Sequence, residues 1–172
     1  VQKSYISYCI LDIENLNYVL LEHVNYKHEQ SNSFSIFLTS LINNNDILKA
    51  SYSSISIAFS SFPSTIIPLE LFEEKNKRKV LEFNTDNIGE IFTNTIFYHN
   101  AKIIYSVPKE ITTIFNTFFP DAHYNCMQNV IIHQYSQYEK KGDHIYINVN
   151  KQHYSIVVFK NRKLIFTNQL QF

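Results

Sequence analysis

Glycine is nearly missing from this chain of 172 residues, which carries Gly89 and Gly142 only; a chain of average composition would hold about a dozen. Phosphate-cradling loops rely on glycine because the backbone must adopt positive φ and come close to phosphate oxygens. Neither GxGxxG nor GxxxxGK followed by Ser or Thr occurs, so the common glycine-rich phosphate loops are excluded. Cysteine is scarce as well. Cys9 and Cys126 lie far apart in the strand-like stretches YISYCILD and AHYNCM, and both are expected to be buried, reduced thiols rather than a disulfide or a nucleophile. There is no run of 18 apolar residues and no signal peptide. A transmembrane segment is therefore not expected, and the chain is read as cytoplasmic. Val1 is not a natural start, so an upstream segment is expected.

An excess of either charge is missing too. Fifteen basic and fifteen acidic side chains cancel to a formal net charge of zero, which gives no electrostatic reason for a nucleic-acid or anionic-membrane partner. The basic run in EEKNKRKV follows Glu73 and Glu74 and reads as a solvated turn or helix end. Abundant asparagine, as in NNND at 43–46, carries no functional message.

What the chain does have is a core and a rhythm. Hydrophobic residues make up 45% and charged residues 17%, enough apolar surface to rule out wholesale disorder. Ser4 to Asp12 and Asn17 to Tyr26 alternate around a turn at Glu14 and Asn15, the pattern of a hairpin. In SNSFSIFLTSLI, Phe34, Phe37, Leu38, Leu41 and Ile42 recur at helical spacing behind Asn32 or Ser33 as cap. SISIAFS (54–60) and STIIPL (64–69) read as strands, and a short helix is expected around Val80 to Phe83. AKIIYSVP is a buried strand halted by Pro108. KEITTIFNTFFP then places Ile111, Ile114, Phe115, Phe118 and Phe119 on one helix face before Pro120 stops it. DAHYNCM predicts a strand and QNVIIHQYSQYEKK a helix with Gly142 as its left-handed C-cap. Three closing strands follow, with a tight turn at Asn161 and Arg162. The class is mixed α/β with a mixed sheet.

This order resembles a duplicated ribonuclease H-like fold, the plan of actin-like ATPases. YSVPKEITTIFNTFFPDAHYNCMQNVIIHQY is similar to the segment of pilus-assembly and type II secretion actin-like proteins in which a strand ends in VP, a helix follows and a second strand–helix unit leads to the next lobe. HIYINVNKQHYSIVVFKNRKLIFTNQLQF is similar to the opening meander of that lobe. VQKSYISYCILD, IIPLELFEE and LEFNTDN resemble a bacterial family of unassigned function with an actin-like ATPase fold. The resemblance implies one lobe over residues 1–141, with its connecting strand–helix units. It also implies the first three strands of a second lobe over 142–172, with further residues beyond Phe172.

Actin-like ATPases hold nucleotide between two hairpin turns, one per lobe. The resemblance places those turns at Gln2, Lys3 and Ser4 and at residues 148–152. The second turn should carry an Asp and a Gly, but Asn148 and Asn150 stand there, so the metal-directing charge and the bare backbone are both absent. Lys3, Ser4, Asn148, Asn150 and Lys151 are therefore candidates for a degenerate phosphate site only. ATP and magnesium are not expected as cofactors. Asp12, Glu14 and Asp143 lie at strand or turn ends and do not make the carboxylate cluster of a two-metal nuclease. The seven histidines lack zinc spacing with cysteine, and no Gly-x-Ser-x-Gly elbow is present. The expected function is a non-catalytic, pseudo-ATPase scaffold or assembly protein that acts on a protein partner or by self-association. The alternative is a nucleotide-binding actin-like ATPase with a degenerate phosphate site.

Overall fold

The computed structural model describes residues 5–26, 33–83, 85–86, 88–137, 142–150 and 153–171. These form ten strands and five α-helices. The chain divides into two compact units, one of residues 1–57 and 109–123, the other of residues 58–108 and 124–172.

The first unit opens with an antiparallel hairpin of β1 (Tyr5–Asp12) and β2 (Asn17–Asn25), in register from Tyr5 opposite Asn25 to Asp12 opposite Asn17, with a bulge between Ile10 and Leu11. Asp12 builds the turn. Its Oδ1 accepts the backbone N–H groups of Glu14 and Asn15 at 3.0 and 3.1 Å, while its Oδ2 accepts Asn15 Nδ2–H at 2.8 Å. Those hydrogen bonds, the Asn15 side chain foremost, hold the Asp12 carboxyl below the usual carboxylate range. Tyr8 ties the hairpin to the next element: its hydroxyl donates to Glu22 and accepts Asn45 Nδ2–H at 2.6 Å.

Helix α1 (Phe34–Asn43) starts where the sequence places it, with Ser33 Oγ accepting Ile36 N–H at 3.4 Å. Asn45 caps the single turn α2 (Asp46–Lys49) by accepting from the backbone of Ile47 and Leu48. Helix α4 (Lys109–Phe118) packs against α1. Ile111 and Phe115 of α4 are buried as the helical spacing predicts, with Leu38 and Ile42 buried on α1. Ile114, Phe118 and Phe119 of the predicted face are half-buried.

The second unit is built on β6 (Ala101–Val107), flanked by β4 (Ser64–Pro68) and β5 (Glu90–Ile96) in the antiparallel order β4–β6–β5. Ile103, Ile104, Tyr105 and Val107 on β6 are fully buried. Helix α3 spans Lys77–Glu82, earlier than the 80–83 expected, and buries Leu81. Lys75 and Lys77 pair with Glu73 and Glu74, the solvated charge run expected there. Strand β3 (Ser56–Phe59) pairs with β7 (His123–Cys126), and helix α5 (Met127–Ser136) packs against β5. A separate antiparallel meander, β10–β9–β8, closes the chain: β8 (Asp143–Val149), β9 (His153–Lys160) and β10 (Lys163–Gln171).

Two expectations are corrected, and one strand is new: β5 has no counterpart among the expected elements, because EIFTNTI is polar enough to hide its strand character. Gly142 does not cap α5, because that helix closes at Gln137, whose N–H bonds to Gln134 and Tyr135. Gly142 instead precedes β8 with φ of 108°, and its carbonyl accepts Asn161 N–H at 3.1 Å. Cys9 is exposed rather than buried, since the alternation of β1 turns it away from the Ile6 face; Cys126 is buried as expected.

Glycine scarcity leaves its mark on the backbone. Gly89 sits where an added Cβ would meet the carbonyl oxygen of Val107 at 2.2 Å, so the close approach of this segment to β6 requires glycine. Elsewhere ordinary residues take left-handed φ: Leu16 (50°), Ser61 (63°), Asn100 (46°), Asn161 (47°) and Arg162 (68°). The last two make the two-residue β9–β10 turn expected from sequence. Positive φ at both central positions matches the right-handed twist of the flanking strands.

Candidate functional site

The β8–β9 turn is the candidate turn that the described residues reach. Lys3, Ser4 and Lys151 lie outside them. Asn148 is half-buried within β8 and stands opposite Ser155, a ladder position rather than a turn position. Asn150 begins the turn and folds inward. Its backbone N–H donates to the carbonyl of His153 at 2.8 Å, and its Nδ2 lies 3.2 Å from His153 Nε2.

His153 is the centre of this arrangement, at 1% exposure. Around its ring, Ser61 Oγ lies 3.1 Å from Nδ1 and Ser60 Oγ 3.4 Å from Nε2, both from the loop after β3. Gln169 on β10 donates to Ser61 Oγ at 3.4 Å. The ring's protonation follows from its neighbours. Asn150 Nδ2 can only donate, so Nε2 accepts and the ring proton sits on Nδ1, from which it is donated to Ser61 Oγ. Burial lowers the His153 pKa from its ordinary value and favours this neutral form.

The group superficially resembles a serine nucleophile, base and orienting amide, with Ser61 at a strained positive φ. For Ser61 the hydrogen-bond direction runs the wrong way for that chemistry, while buried Ser60 donates its hydroxyl to Nε2 across a long 3.4 Å. A base must accept the serine proton, whereas Nδ1 donates to Ser61 here. The imidazole joins a turn to a loop, and Gln169 attaches β10 to that loop through Ser61 Oγ.

Other polar groups of the second unit are equally committed to structure. Asn94 on β5 donates to the Tyr124 carbonyl at 3.0 Å and accepts Cys126 N–H at 2.8 Å, so its amide acts as a bridging peptide for β7. Buried Gln128 accepts from Ser64 Oγ at 3.0 Å and donates to Thr167 Oγ1 at 2.5 Å. Burial pushes the Cys126 thiol up to about 11, which makes it a poor nucleophile. Ser136 Oγ donates to the Ile132 carbonyl at 2.6 Å, so the 2.7 Å contact between His99 Nε2 and Ser136 Oγ is a donation from the ring. Among the described residues, no group of three His, Cys, Asp or Glu side chains could hold a metal ion. Asp143 is exposed at the start of β8.

Sequence reasoning found the turn and missed its lock. Ser60, Ser61, His153 and Gln169 belong to no motif, and more than ninety residues separate His153 from its serine partners. The alternation of β9 was a usable signal: His153, Ser155, Val157 and Phe159 share one parity, and all four are buried. On the opposite parity the meander presents aliphatic side chains to solvent. Ile145, Ile147 and Val149 of β8 are 67, 57 and 68% exposed, and Phe166 and Leu170 of β10 are exposed on the same face, across β9. No helix is long and apolar enough to cross a membrane among the described residues.

Comparison with known proteins agrees with this architecture. A protein of unknown function from Bacteroides thetaiotaomicron with an actin-like ATPase fold superposes at a TM-score of 0.91 and 24% identity, over 100% of this chain and 68% of that one. The PilM–PilN type IV pilus biogenesis complex is a more distant neighbour, with a TM-score of 0.60 and 8% identity over 99% of this chain and 60% of that one. At such identities the likeness establishes the fold. No curated protein matches the chain. The family model described as "Protein of unknown function (DUF3822)" matches residues 1–172, and the chain belongs to that family, with the actin-like ATPase fold that the sequence order implied.

Proposed function

We propose that this protein is a non-catalytic, actin-like scaffold or assembly protein of the cytoplasm, working through a protein partner or self-association. The observation that carries the reading is the inward fold of Asn150 onto His153. In the resemblance to actin-like ATPases, the β8–β9 turn would supply a carboxylate toward magnesium and bare backbone toward phosphate. The residues here do not fit that group. Asn148 is neutral and sits in the β8–β9 ladder, while the Asn150 side chain and backbone amide are both engaged by His153. Positioning and charge neutralisation supply most of the rate in phosphoryl transfer, and Asn148 and Asn150, the described residues at the expected Asp and Gly positions, supply neither.

Two further observations support a binding role. The neighbouring pilus biogenesis structure is a complex of two proteins. The exposed aliphatic face of the meander is surface of the kind that protein partners cover. A zero net charge gives no support to a nucleic-acid partner.

Isothermal titration with magnesium-ATP tests the reading. The expected result is no measurable heat of binding and turnover at background. Micromolar, magnesium-dependent affinity that disappears in Lys3→Ala or Lys151→Ala would overturn it in favour of a nucleotide-binding protein with a degenerate phosphate site.

A further inference from the structure

We draw no further inference here: the strongest candidate, the apolar outer face of the β8–β9–β10 meander around Ile145, Ile147, Val149 and Phe166, carries nothing because nothing in the structure shows what covers it.

Discussion

Asn150 and His153 hold each other twice, through a backbone hydrogen bond of 2.8 Å and a side-chain contact of 3.2 Å. The side-chain contact fixes which ring nitrogen carries the proton. Nitrogen-15 NMR of the imidazole should therefore report the Nδ1–H form, the tautomer that donates to Ser61. A spectrum of the Nε2–H form would reverse the hydrogen-bond directions assigned around this turn.

Acid should weaken the fold through the same ring. Burial lowers the pKa of His153, and of the part-buried His99, below the ordinary value of 6.5. With the folded pKa depressed, the unfolded chain binds the proton first as pH falls. The stability tied to the neutral rings is fully present above about pH 6.5 and is lost as pH drops toward their folded values. Urea denaturation at pH 7.5 and 5.5 should show a lower midpoint in acid, with a smaller difference in His153→Asn. An unchanged pH dependence in the variant would show that His153 does not contribute to it.

The two glycines make a matched pair of tests. Gly89→Ala should cost roughly 2–4 kcal/mol, because the new methyl collides with the backbone of Val107 and Pro108 rather than with a yielding side chain. Gly142→Ala meets nothing within 4 Å, and its penalty comes from φ of 108° alone; about 1–2 kcal/mol is expected. Chemical denaturation of both variants decides it, and equal losses would contradict the close approach assigned to Gly89.

Asn94→Leu should be more harmful than its volume suggests. It removes two hydrogen bonds to β7, one from its own amide and one from Cys126 N–H. Losing both at a part-buried site costs roughly 2–4 kcal/mol. Hydrogen exchange would localise the effect, with faster exchange at the Cys126 amide. Unchanged protection there would remove Asn94 from its bridging role.

The two thiols should separate cleanly under alkylation. Cys9 is exposed on the hairpin, whereas Cys126 is buried and its thiol is pushed up to about 11. Iodoacetamide at pH 8 should modify Cys9 quickly and reach Cys126 only after unfolding. Rapid loss of both thiols from the folded protein would contradict the burial of Cys126.

Sequence carried the elements whose signals are local. Ser33 sits one residue before a periodic apolar stripe, and Asn161 and Arg162 interrupt an alternating run, so the start of α1 and the β9–β10 turn were legible. Strand β5 was not, because Thr93, Asn94 and Thr95 look like loop residues until Asn94 is seen bonded to β7. Cys9 shows the limit of alternation, which assigns residues to two faces without saying which one is covered. The site divided the same way: Asn148 and Asn150 were identified as departures from a resembled pattern, while the histidine that engages Asn150 belongs to a network assembled from distant segments.

Leu16, Ser61, Asn100, Asn161 and Arg162 occupy left-handed backbone that most proteins entrust to glycine. A residue with a Cβ there sits about 1–2 kcal/mol above its relaxed conformation. At Leu16, whose side chain has no hydrogen-bonding group to offset the strain, glycine would release it against the greater flexibility of the unfolded chain. The molecule therefore tolerates left-handed turns with side chains in place, and Leu16 is where an engineer seeking a hardier version of the fold would begin.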